Sequence, residues 1–191
     1  MFTKLKKLYF LDFTSQKTLA SKGILSHTTA KYLSINVLLF VVPFFLGESQ
    51  LLVGSVVNLA LIYIALNFKQ AKLLPAIFLP AIASILRNSV LGSATAYLAI
   101  LMPFIWMSNG LFIMAIRGMV YKGKSLILSL GVSSVAKALF LFCVTFMLVS
   151  LFKFPNVLLV AMGIMQLVTA SIASIIYSIY SKNSVGFWNK K

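Results

Sequence analysis

The sequence predicts an all-α, polytopic membrane protein with six transmembrane helices and a short extra helix or re-entrant segment near 89–101. Three observations carry this. First, 61% of the 191 residues are hydrophobic and only 10% are charged; a soluble domain is about half apolar and about a quarter charged. Second, the mean hydropathy is +1.02, which fits burial in hydrocarbon rather than a water-facing surface. Third, the few charges sit between long apolar runs, as loop residues do between membrane crossings.

The elements follow in order. Residues 1–31 are basic and aromatic, with Phe2, Leu5, Tyr9 and Phe13 at helical spacing beside Lys4, Lys6 and Lys7. That pattern suits either an interfacial helix on an anionic membrane face or a solvated basic tail. The first span is expected at 32–47 and the second at 50–67, followed by the basic turn 68–72. The third, 73–86, is short and holds Pro75 and Pro80, so a kinked helix is expected. The apolar run 89–116 is too long for one ordinary crossing; Pro103 is the natural divider, giving a short piece at 89–101 and a fourth span at 103–120. After the basic turn 117–124, a long fifth span runs 125–152 and a sixth runs 156–181. The tail 182–191 is basic.

The chain carries 17 Lys and Arg against two acids, Asp12 and Glu48. Such a balance suggests nucleic acid in a soluble protein. Here the charges follow the loops, so no nucleic-acid partner is expected. With both termini in the cytoplasm and six crossings, every Lys and Arg except Lys137, Arg87 and Lys153 falls inside. This asymmetry predicts a multi-pass cell-membrane protein with cytoplasmic ends. The lone cysteine, Cys143, lies within an apolar run and has no intrachain disulfide partner. The lysine-rich start has no uninterrupted apolar core of the kind a cleaved signal needs.

Candidate function rests on polar residues inside the spans. Lys137 lies in "SSVAKALFLF", roughly 18 Å from the inner end of its helix at 1.5 Å per residue. A lysine at that depth costs roughly 2.5 to 3.5 kcal/mol and normally faces the bundle interior. The alternative is snorkelling to the interface. The same counting puts Asn58, Asn109 and Gln166 in one layer with it, from the outer half to the middle of the bilayer. These four define a candidate solute pocket. Interhelical hydrogen bonding, at roughly 0.6 kcal/mol each, is the competing account and the favoured one for Asn58. Trp106 belongs either to the aromatic belt or to the pocket mouth, stacked on a planar solute. Small residues at four-residue spacing, such as Ser134/Ala138 and Ala170/Ser174, permit close helix approach.

Enzymatic signatures are missing. The single histidine, His27, lies near the basic start, no acid falls in a span, and no Gly-rich phosphate loop or His/Cys cluster occurs. Catalytic residues, metal ligands and cofactors are therefore not expected, nor is a proton relay.

Three stretches share a cadence: "MPFIWMSNGLFIMAI" at 102–116, "SSVAKALFLFCV" at 133–144 and "GIMQLVTASIAS" at 163–174. Together with "FKQAKLLPAIFLPAIASIL", they resemble the substrate-binding S components of energy-coupling factor transporters. The resemblance spans about 50–180. It implies six helices, a pocket near the outer face for a vitamin, related micronutrient or metal ion, and docking on a membrane coupling subunit with ATP-hydrolysing subunits. Asn109, Lys137 and Gln166 are the matching positions. The first span, "LSINVLLFVVPFF", lacks the Ala-x-x-x-Ala pair that many members use for docking.

The leading expectation is thus a membrane subunit that captures a small solute. Lys137 would meet an anionic or carbonyl group, Asn109 and Gln166 would supply hydrogen bonds, and Trp106 would cover one face. The alternative is a non-transporting subunit in which these groups bond to one another or to a partner and organise a larger membrane complex.

Overall fold

The computed structural model describes residues 27–47, 49–69, 72–91 and 95–183. Of the basic segment 1–31, expected as an interfacial helix or a solvated tail, residues 1–26 lie outside those residues and 27–31 are helical; the tail beyond 183 also lies outside them. Two compact units divide the chain, residues 1–34 and 35–191. The described part of the first is the beginning of helix α1, His27–Phe45. Everything below concerns the second.

Helix α1 is followed by α2 (Gln50–Asn67), α3 (Leu74–Leu91), α4 (Thr95–Tyr121) and α5 (Leu126–Phe152). The last crossing starts as a short helix, α6 (Val157–Leu159), continues as a π-helical segment (Val160–Ile164) and resumes as α7 (Met165–Asn183). No strand occurs among the described residues. Ser49 caps α2 and Ser125 caps α5, each accepting a bond from the backbone N–H three residues on. Lys153, in the left-handed conformation, ends α5.

Among the described residues, five helical stretches are long and apolar enough to cross a bilayer: Thr28–Phe45, Gln50–Asn67, Tyr97–Tyr121, Leu126–Phe152 and Val157–Lys182. The third expected span has a shorter apolar stretch, Leu74–Arg87, below the roughly 20 residues a ~30 Å hydrocarbon core requires. The all-helical membrane architecture is as expected, and the span expected to be short, 73–86, is the one with the short apolar stretch.

The expected division at Pro103 is corrected. Helix α3 extends to Leu91, α4 begins at Thr95, and Pro103 lies inside α4. The described residues of 89–101 belong to α3 and α4 rather than to a separate helix. A proline inside a bilayer helix is tolerated because neighbouring groups re-satisfy the freed carbonyl, so it need not mark an end.

Helices α2, α4, α5 and α7 pack together, with α3 against α4 and α2. The surface is inside-out relative to a soluble protein. Val37, Met114, Leu139, Met147 and Ile175 are exposed, while Asn58, Ser133, Lys137 and Thr169 are buried. Exposed aliphatic and buried polar side chains suit a hydrocarbon solvent.

Candidate functional site

Lys137 sits at the centre of the bundle, 2% exposed. Its ammonium donates to Asn58 Oδ1 at 2.7 Å and to Asn109 Oδ1 at 2.8 Å. It also lies 5.3 Å from the centroid of the Phe112 ring, within cation–π range. The cluster therefore draws on α2, α4 and α5. Snorkelling does not occur.

A second layer orients the two amides. Asn58 Nδ2 donates to Thr169 Oγ1 on α7 at 3.1 Å, and the Thr169 hydroxyl donates to Met165 O at 2.8 Å. Asn109 Nδ2 donates to Ile77 O on α3 at 3.2 Å. With the nitrogens so engaged, both carbonyl oxygens turn to the lysine. Each supporting helix thus holds one element of the site.

The local sequence explains the approach. A Cβ at Gly54 would come within 2.8 Å of Thr169 Cγ2, so a side chain there would push α2 from α7. Asn58 lies one turn after Gly54, where it can reach Thr169. At the four-residue repeat on the other side, Ser134 and Ser174 link α5 to α7 through their hydroxyls at 3.2 Å.

Of the expected site residues, Lys137, Asn58 and Asn109 meet directly. Trp106 stands one turn before Asn109, donates to Phe78 O at 3.3 Å and meets the Phe78 ring edge-on at 4.9 Å. It braces α4 against α3. Gln166 is half-buried, and its backbone carbonyl accepts from Thr169. Its side chain is not among the groups bonded to Lys137; Thr169, almost one turn on, takes the place expected for it. Phe112, one turn after Asn109, is a further contact that counting polar residues could not find.

The electrostatics are one-sided. No Asp or Glu occurs among the described residues of the second unit. The ammonium is held by neutral dipoles, and two of its three N–H groups have hydrogen-bond acceptors. Interior amides solvate such a charge without neutralising it.

Two grooves run along the α5–α7 face. One, of about 300 Å³, is bordered by Ile127, Gly131, Ser134, Ser174 and Lys182. The other, of about 200 Å³, is bordered by Val135, Phe142, Gly163 and Leu167. Neither is lined by Lys137, Asn58 or Asn109. The cluster is closed and mutually bonded. No protein-family description, curated protein or solved structure matches this chain.

Proposed function

We propose that this chain is the solute-capturing subunit of a membrane uptake system, with Lys137 as the charge that selects an anionic or carbonyl-bearing solute. The observation that carries the reading is the buried ammonium held only by neutral amides. Joining helices does not require a charge. A neutral donor would bridge Asn58 and Asn109 at lower cost than a lysine, which costs roughly 2.5 to 3.5 kcal/mol at mid-helix. A net positive group without a counter-charge attracts an anion far more strongly in a low-dielectric site than in water. The closed cluster is then the unliganded state, in which the amide oxygens stand in for the solute. Asn58 and Asn109 become the hydrogen-bonding partners of the bound molecule. Gln166 and Trp106 flank the site in this reading.

The resemblance to S components supports the same assignment and supplies the rest of the proposal. The solute class is a vitamin or micronutrient, and the energising partner is a membrane coupling subunit with ATP-hydrolysing subunits. Both termini lie in the cytoplasm.

A structural role is favoured by one specific observation: Lys137 bonds both Asn58 and Asn109, and all three are buried and border neither groove. In that reading the cluster pins α2, α4 and α5 within a larger membrane complex. Mass spectrometry of small molecules that co-purify with the detergent-solubilised protein separates the two, with wild type and Lys137→Met compared. Solute capture predicts a molecule present with wild type and absent from a folded Lys137→Met protein. An identical set of molecules from both folded proteins refutes capture at Lys137. Failure of the variant to fold favours the pin.

A further inference from the structure

Two turns beyond Lys137 on α5 stands Thr145. It is fully buried, and its hydroxyl oxygen has no hydrogen-bond partner. Other buried hydroxyls in the bundle bond the carbonyl one turn back. Ser133 donates to Ser129 O at 2.6 Å, Ser134 to Leu130 O at 2.8 Å, Ser174 to Ala170 O at 2.7 Å and Thr169 to Met165 O at 2.8 Å. Thr145 leaves the corresponding bond unmade. A protein embedded in hydrocarbon has little water to satisfy such a group, and an unmade bond is the expensive case.

The surroundings give this hydroxyl a direction. Lys137, Leu141 and Thr145 follow one another at four-residue steps, so they share the buried face of α5. Leu141 packs with Leu101 of α4 and Met162 of the π segment, and Leu148, just past Thr145, packs against the same cluster. The face therefore reads cation, apolar patch, hydroxyl, over about 12 Å of helix axis.

We propose that Thr145 is the far contact of the solute site, and that the solute is an elongated organic anion. Its anionic end meets Lys137, its apolar middle displaces the contact among Leu101, Leu141 and Met162, and an alcohol or carbonyl at its other end bonds Thr145. A hydroxyl can donate and accept, so either group is served. This inference rests on the reading of Lys137 as solute-binding.

The test compares two probes, 8-hydroxyoctanoate and octanoate, by titration calorimetry on the full-length detergent-solubilised protein. They differ only in the group assigned to Thr145, and their length is comparable to the rise between the two polar contacts. Wild type is expected to bind the hydroxy acid roughly fivefold more tightly. Thr145→Val keeps the shape and deletes an unsatisfied group, so it should fold at least as stably as wild type. It should bind both probes equally, at the wild-type affinity for octanoate. Lys137→Met should bind neither. Equal affinity for both probes in wild type, or a preference that survives Thr145→Val, overturns the role of Thr145 while leaving that of Lys137 standing. Failure of wild type to bind either probe at millimolar concentration overturns the elongated-anion class. Unchanged binding by Lys137→Met overturns the assignment of Lys137 itself.

Discussion

The Lys137 ammonium joins two amides from two other helices, so these three side chains should act as one energetic unit. The network makes a specific energetic prediction. Asn109→Leu removes one of two acceptors from a buried ammonium, so it should destabilise the protein by about 1 to 3 kcal/mol. In a Lys137→Met background the same change removes an acceptor that has already lost its donor. A double-mutant cycle by thermal unfolding in detergent should therefore return a coupling of at least about 0.5 kcal/mol. Strict additivity would mean that the two side chains do not depend on each other. Thr169→Val acts one layer out, and its cost should be nearer the ~0.6 kcal/mol typical of a membrane interhelical bond. Counting 1.5 Å per residue along each span places Lys137, Asn58 and Asn109 at matching heights, and their hydrogen bonds confirm the match. The same count selected Gln166. Height says nothing about which way a side chain points around its helix. Gln166 and Thr169 differ by one turn in height, but only Thr169 faces Asn58. Phe112 was invisible for another reason: one phenylalanine among sixteen carries no signal until a cation lies over it.

Among the elements, apolar runs gave good helices but poor boundaries. Proline was read as punctuation at Pro103, because in water it ends or kinks a helix. The helix instead runs through it, and the preceding helix ends at Leu91. The π-helical segment Val160–Ile164 had no sequence marker of its own. Its structure is nonetheless tied to neighbours. Gln50 donates to Ala161 O at 2.8 Å, and a Cβ on Gly163 would lie 2.7 Å from Phe142 Cδ2. Close approach at Gly54 was equally hidden, since small residues abound in such spans. Two glycines of the core helices, Gly54 and Gly131, make a contrast that can be measured. Gly54→Ala drives a methyl into Thr169 on the facing helix and should cost about 1 to 3 kcal/mol. It should also weaken the support of Asn58. Gly131→Ala on α5 meets nothing within 4 Å, so stability should be unchanged or higher, because alanine is the better helix former. Equal losses at both positions, measured by thermal unfolding, would remove the α2–α7 approach as the basis of the site.

At the scale of the whole molecule, the membrane class was legible from composition because it depends on the solvent, not on detail. Orientation needs the contacts. Arg117 near the end of α4 donates to Ala65 O at 3.2 Å and Phe68 O at 2.6 Å at the end of α2. Asn67 meets Tyr177 of α7 at 3.4 Å. One end of the bundle therefore gathers Lys69, Lys72, Arg117, Lys122, Lys124 and Lys182. At the other end, Gln50 meets Ala161, Tyr97 meets the Phe154 ring at 5.0 Å, and the Arg87 side chain lies by Gly47. Only Arg87 and Lys153 among the described Lys and Arg of the second unit belong there. Because basic loops remain on the cytoplasmic side, the first end is expected to face the cytoplasm. In a Cys143→Ala background, the exposed turn residues Lys122→Cys and Lys153→Cys give a direct readout with a membrane-impermeant maleimide. Lys153→Cys should react in intact cells, and Lys122→Cys only after permeabilisation. The reverse pattern would put the basic end outside. The Thr145 end of the Lys137 cluster, which lies toward the Lys153 turn along α5, would then face the cytoplasm instead. Solute capture from outside thus requires the Lys153 turn to be the one that labels first.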